Sequence, residues 1–349
     1  MKNLNKMSED HFLKIFFTCF SLSFIVASAF MPDVGDMSNG LLRIMNSPTK
    51  AATNFFSVGG YSATFMNMGL VGLICTALYC VPGRQANNAA TLVTLLTVGF
   101  GSWGINPLNM IPTILGVCLY CLVKKEKLGA QVNAMMFTTG IAPLISELLF
   151  RYPSTEYIGF NWLGAGLAIF VGLIIGFFLP AGLGHAPNIH KGYNHYSAAV
   201  PIGFTAFFLR VVLYKVMLGK GIGAMGEYKT FAGPSADFFY GCNIFCIVLF
   251  AACIVMALLM GCKVKDYWNL MKDPGQGVSF TTKYGAAPFL MNVGIFGLMI
   301  VAYFNLAGNA SGPIFGQILW LDAESYVAGD KDLIPTGEVK PVVGTPMDF

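Results

Sequence analysis

The chain has 349 residues, of which 55% are hydrophobic and only 11% charged, with a formal net charge of +4. A soluble domain carries about 25% charged residues, so this balance excludes a soluble globular protein and indicates an all-α, multi-pass integral membrane protein whose first partner is the lipid bilayer. The basic residues are scattered through short loops rather than gathered in a stripe, which excludes nucleic acid as a partner.

A spanning helix needs roughly 20 mostly apolar residues. The first such run, 12–30, follows Lys2, Lys6 and Lys14 and ends in "ASA", an A-x-A pattern that also suits a signal-peptidase site. Its later counterpart, 239–262, is internal and cannot be cleaved, so retention as a membrane helix is expected. A semi-polar, Pro-containing stretch (41–57) leads into the second run, 58–80, which carries Asn67 in mid-helix. Runs 89–106 and 109–123 are joined only by "NPL". The second of them is short for a span, so they read as two tilted helices or as a span and a half-helix. Gly99, Gly101, Gly104, Pro107 and Pro112 break helical regularity here, and Asn106, Asn109 and Thr113 supply polar groups. Irregular backbone at membrane depth survives only where protein or a cavity satisfies it. The segment reads as a pathway or half-helix junction, or as a tight turn between two helices.

Run 131–149 ends with Glu147, four residues before Arg151, an i, i+4 ion pair or a coupling carboxylate. After 161–184 comes "LPAGLGHAPNIHKGYNHY" (179–196), read as a plain interfacial loop or as a loop with His185, His190 and His195 as gating or pH-sensing residues. Their five-residue spacing does not stack on one helical face and no acid accompanies them, so no metal is assigned. Run 196–218 holds Arg210, a pathway candidate, and Lys215, which snorkels. Runs 239–262 and 286–308 complete nine, and a tenth segment starts at Gly312 and stops almost at once. Cys118 and Cys121 form a C-x-x-C inside an apolar run with no second pair, and read as packing residues. With the N-terminus inside, the inner segments hold twelve Lys and Arg and the outer loops five, as the positive-inside rule requires.

The chain repeats itself. "FMNMGLVGL" (65–73) returns as "LMNVGIFGL" (290–298), with Asn67 matched by Asn292, and Met45-x-x-Pro48 matches Met271-x-x-Pro274. Seven spans separate the starts of the copies, so they are expected to be inverted, as in transporters that hold their site at the repeat interface near the midplane. The domain reading is a single transmembrane domain over 1–320, with copy one about 12–123, copy two about 239–320 and connecting helices over 131–218. A polar tail (321–349) is expected to be poorly ordered. The segments 41–57 and 267–285 are either re-entrant or interfacial. The Walker loop, H-E-x-x-H, G-x-S-x-G and dinucleotide fingerprints are absent, and neither an enzyme activity nor a cofactor is assigned.

"GINPLNMIPTILGV", "GIAPLISELLF", "GFFLPAGLGHAPNIHKGYNHY" and "NASGPIFGQIL" together resemble the bacterial multi-pass membrane family known as domain of unknown function 1576, over roughly residues 12 to 320. The resemblance implies an integral protein of the cytoplasmic (inner) membrane with internal duplication, and no substrate. A looser likeness, of architecture alone, is to urea-transporter-type channels. The family pattern would continue copy two into another glycine-rich "VGFG…NP" segment. Here the chain turns polar after about Trp320, so the second copy is truncated, as in a fragment, a frameshifted product or a diverged member.

The functional expectation is a secondary transporter or channel for a small polar solute or ion. Its pathway candidates are Asn67, Asn292, Asn106, Asn109, Thr113, Glu147 and Arg210, with interhelical glue between closely packed helices as the alternative for Asn67 and Asn292. The alternatives are a membrane-embedded enzyme using the His185–His195 loop and a structural or accessory membrane protein. Substrate, coupling ion and homo-oligomeric state are not legible.

Overall fold

The computed structural model describes residues 7–49, 53–154, 157–190, 198–219, 240–273 and 279–306. Every regular element among them is helical, and eight helices are long and apolar enough to cross a membrane. In lipid the backbone must satisfy its own polar groups, and the helix does so within one segment.

All nine apolar runs are helices. α1 (Glu9–Ser28) starts at Ser8, whose Oγ accepts from His11 N, and carries Glu9 and Asp10 in its first turn, where acids suit the helix dipole. Short helices α2 (Met37–Asn46) and α3 (Phe55–Gly59) precede α4 (Tyr61–Tyr79). Asp33 tethers the start of α4, accepting from Tyr61 N at 2.7 Å and Ser62 N at 2.9 Å. α5 (Asn88–Phe100) and α6 (Pro107–Lys124) follow, then α7 (Val132–Thr138) and α8 (Ala142–Phe150), which form one continuous span from Leu128. The later elements are α9 (Trp162–His190), α10 (Ala199–Arg210) with a π-helical extension Val211–Val216, α11 (Tyr240–Leu259), α12 (Val264–Met271), α13 (Phe280–Tyr284) and α14 (Ala286–Leu306).

Three boundaries differ from expectation. The short member of the pair after α4 is α5, at 13 residues, whereas α6 runs to 18. The helix stops at Phe100 because Gly101 and Gly104 favour departure and Pro107 pushes Asn106 into extended backbone. α9 continues to His190, so much of the expected histidine loop is helical. His195, the start of the tenth segment and the polar tail lie outside the described residues, as does part of 267–285.

The internal repeat is a repeat of elements. A 20-residue helix, a short amphipathic helix, a five-residue helix and a long span occur as α1–α4 and again as α11–α14. Gly60 separates α3 from α4 at φ 87°, and 225 residues on Gly285 separates α13 from α14 at φ 89°. Both sit in the left-handed region that glycine alone enters without strain. The packing register also repeats. A Cβ on Gly69 would lie 2.5 Å from Ile25 Cγ1 and 2.9 Å from Ser21 O, and one on Gly294 would lie 2.6 Å from both Ile254 Cγ1 and Phe250 O. Gly72 faces the Ser21 side chain and Gly297 the Phe250 ring. Close approach through small residues is how membrane helices gain van der Waals contact.

Alanine at Gly69 or Gly294 is therefore expected to destabilise the protein by similar amounts, about 1–3 kcal/mol each, as overpacking does. Gly166→Ala on α9, where a Cβ meets nothing within 4 Å, should be neutral or stabilising by up to ~1 kcal/mol. Thermal unfolding in detergent reads all three.

The two units meet through aromatic rings. Phe245, near the start of α11, packs on Phe24 near the end of α1 (centroids 4.9 Å) and on Phe65 near the start of α4 (5.1 Å). Phe289, near the start of α14, packs edge-on against Phe12 and Phe16 near the start of α1. Glu9 accepts from Ser279, Thr281 and Thr282. One buried apolar cluster runs through α1, α4–α7, α11 and α14, and a second joins α8, α9 and the π-helix.

Candidate functional site

Between α5 and α6 the chain leaves the helix for residues 101–106. Gly101 N still bonds to Thr97 O at 3.0 Å. Trp103 N and Ile105 N then both turn back to Phe100 O (2.8 and 3.1 Å), and Gly104 takes φ 120°. Ser102, Trp103, Ile105 and Asn106 are all buried. Non-helical backbone carbonyls at such a place need donors, and polar side chains from α4, α6 and the segment after α2 supply them.

Asn67, on α4, donates through Nδ2 to Gly101 O at 2.6 Å and to Ile105 O at 2.8 Å. Asn109 donates to Gly104 O at 2.8 Å and to Ser146 Oγ on α8 at 3.0 Å. Asn106 and Asn109 close a reciprocal capping box at 2.9 Å each way, with Pro107 opening α6. The Thr49 hydroxyl lies 3.4 Å from Gly104 O and 3.3 Å from Pro143 O. Asn106 Nδ2 reaches Ile44 O, and Phe55 N donates to Ser102 O, so the α2–α3 segment covers the break. Thr113 is buried nearby, its hydroxyl spent on Met110 O.

Asn67, Asn106 and Asn109 are thus brought to one place. Asn292 is not. It stands partly buried on α14, in the unit that lacks a described equivalent of the break. Thr49 and Ser146 were not anticipated. Thr49 follows Pro48 of the repeated M-x-x-P, and Ser146 precedes Glu147, so each adjoined a noticed residue.

The network leaves one buried acceptor unmatched. Asn67 is 0% exposed, and among the described residues its Oδ1 has no hydrogen-bond partner. The amide orientation follows from the two carbonyls, which both require a donor. On α5, Thr91 Oγ1 and Thr94 Oγ1, one turn apart, are likewise buried without partners.

A second polar group lies one residue beyond the Asn109–Ser146 bond. Glu147 and Arg151 are both buried, with Nη1 to Oε1 at 3.6 Å. Tyr214 donates its hydroxyl to the same Oε1 at 2.8 Å. It arrives from the π-helical turn, a distortion that often marks functional positions. Tyr152 stacks edge-on against Tyr214 and lies 3.5 Å from Leu213 O. Arg210 ends α10, partly buried. His185 is exposed on α9, and the ring of His190 lies outside the description. Among the described residues no three His, Cys, Asp or Glu side chains gather to hold a metal.

The loop ends of the two repeat units carry different charge pairs. Arg43 Nη2 bonds to Asp36 at 2.6 Å and holds its carboxyl below the usual range. Asp273 accepts from Lys283 at 2.5 Å, and this bond raises the ammonium above its ordinary value.

Among protein families, the one described as "Protein of unknown function (DUF1576)" matches residues 34–218, from the approach to α2 through the π-helix. Curated proteins similar to a 48-residue stretch are the galactose mutarotases of Pongo abelii (49% identical), Homo sapiens (51%) and Sus scrofa (45%). In each case the stretch is 14% of this chain and 14% of the relative, so the chain spans about a seventh of those proteins. No solved structure matches the chain.

Proposed function

We propose that this chain, which belongs to the DUF1576 family, is a transporter or channel for a small polar solute or ion, with its site at the α5–α6 break. The observation that carries the reading is the buried, non-helical segment 101–106, ringed by Asn67, Asn106, Asn109, Thr49 and Ser146. Membrane proteins concentrate interrupted helices and intramembrane polar groups at transport sites. The buried Glu147–Arg151–Tyr214 group extends the same polar region.

The reading includes inversion of the two repeat units. What supports it is the direction of the inter-unit contacts. α11 begins where α1 ends (Phe245 on Phe24), while α14 begins where α1 begins (Phe289 on Phe12). Asn67 and Asn292 each lie six residues, about 9 Å, into their spans. Inversion puts them at matching depths from opposite faces rather than side by side at the midplane. The N-terminus is taken as cytoplasmic, in the inner membrane.

The mutarotase likeness covers too little of that enzyme to bring an activity with it. Flux into proteoliposomes tests the proposal, with a panel of uncharged polar solutes and inorganic ions. Asn67→Ala should abolish the flux that the wild-type protein supports, and equal flux in the two proteins rejects the site. Inversion has its own test. In a cysteine-free background, Asp36→Cys should label with an impermeant maleimide only from outside and Lys272→Cys only from inside. Labelling from the same side rejects it.

A further inference from the structure

Two loops that meet beside the start of α1 carry cations that the fold does not neutralise. Asp10 of α1 accepts from Ala86 N in the loop before α5. A Cβ on Gly129, in the loop after α6, would lie 2.9 Å from Arg84 N. The junction gathers Arg84, Lys124, Lys125 and Lys127. Going beyond the transport reading, we infer that these four residues hold the headgroup of an anionic phospholipid whose acyl chain lies along α6.

Among the described residues none of the four forms an ion pair. Arg84 is partly buried. It donates to Asn133 Oδ1 at 2.6 Å, a neutral amide oxygen that also accepts from Tyr79, and it lies over the Tyr79 ring. The neighbouring acids are engaged elsewhere. Asp10 holds Lys14 and Ala86 N, Glu9 takes the hydroxyls of Ser279, Thr281 and Thr282, and Glu126 accepts from Tyr120 and Gln131. Four cations less Glu126 leave the patch at a net charge of +3. The dipole of α6 suits Lys124 in its last turn, but Lys125 and Lys127 lie past that turn.

α6 supplies the apolar half of the site. Ile111, Leu115, Leu119 and Leu122 recur at helical spacing, and all are exposed. The stripe ends directly below Lys124. It rises about 16 Å, close to the depth of one leaflet of a ~30 Å hydrocarbon core. An apolar track that ends in positive charge matches both parts of a phospholipid, whereas a free phosphate would use only the basic end. Each Lys or Arg at a membrane surface strengthens attraction to anionic lipid about fivefold, so a net +3 favours an anionic over a zwitterionic headgroup about a hundredfold. A headgroup held there would also tie together the two loops that the Arg84–Asn133 bond already joins.

Native mass spectrometry of the full chain in neutral detergent tests the site. Phosphatidylglycerol and phosphatidylcholine with identical acyl chains are titrated separately. Phosphatidylglycerol is expected to bind about a hundredfold more tightly. Arg84→Gln should lower that preference about fivefold. Lys124→Gln, Lys125→Gln and Lys127→Gln together should abolish it, and because all three lysines are exposed this variant keeps the fold. Lys265→Gln, exposed on α12 outside the patch, should leave it unchanged. Glycerol 3-phosphate, which offers the phosphate without the chains, should not displace the lipid at millimolar concentration.

Equal binding of the two lipids overturns the proposal. So does a loss in Lys265→Gln as large as that in Lys125→Gln, which would mean general surface charge only. Displacement by glycerol 3-phosphate overturns it in favour of a site for soluble phosphates. None of these readouts requires flux, so the lipid site and the transport reading stand or fall separately.

Discussion

Asn67→Ala is expected to lower the unfolding free energy by about 2–4 kcal/mol, the larger effect of any single substitution in the helix-break network. Two carbonyls, Gly101 O and Ile105 O, lose their donor together, and each buried unsatisfied group costs about 1–3 kcal/mol. Hydrogen bonds between membrane helices average only about 0.6 kcal/mol when both partners can find substitutes. That relief is restricted here. The carbonyls belong to a backbone already fixed by turns to Thr97 O and Phe100 O, and the side chain they would lose is fully buried. Asn292→Ala, at the matching place in copy two but partly buried, should cost less than about 1 kcal/mol. Thermal unfolding in detergent separates the two variants, and equal losses would mean that the break does not depend on Asn67.

Glu147→Ala is expected to cost about 3–5 kcal/mol, because it leaves the Arg151 guanidinium buried without its countercharge. Tyr214→Phe removes one hydrogen bond to the carboxylate and should cost about 1.5–3 kcal/mol. Replacing both ions, as Glu147→Leu with Arg151→Met, should recover much of the loss, since a well-packed apolar pair often equals a buried ion pair. Denaturant unfolding of the four proteins checks the ordering, and a double variant no better than Glu147→Ala contradicts it. Glu147→Gln keeps the shape and an acceptor for Tyr214. If it folds and loses flux, the acid serves the pathway. If flux is unchanged, the pair only holds α8 to the π-helix.

Much of the architecture was legible because membrane spans announce themselves as long apolar runs, and all nine runs are helices. The repeat was legible for a similar reason. Gly69 and Gly72 must be small to admit α1, Gly294 and Gly297 must be small to admit α11, and such constraints leave letters in register. The break itself was marked by glycine and proline. Its partners were not. The Asn67–Gly101 bond joins residues 34 apart, and periodicity says nothing about which asparagine will meet which carbonyl. Tyr214 reaches Glu147 from 67 residues away through a π turn that has no sequence pattern. The histidine stretch was misjudged for the opposite reason. It reads as a loop, yet α9 runs past Pro180 and Pro187 to His190, because neighbouring groups and local adjustment absorb proline in membrane helices.

The shared register of the two glycine-lined hairpins has a consequence for how this molecule tolerates change. Positions 225 residues apart answer to the same steric question, although their neighbours differ: Ser21 in one case and Phe250 in the other. A deep mutational scan of α4 should therefore forecast the tolerance profile of α14 along its helix-facing stripe. It should fail at Asn67, which donates to two carbonyls of the α5–α6 break, a break with no equivalent among the described residues of the second unit.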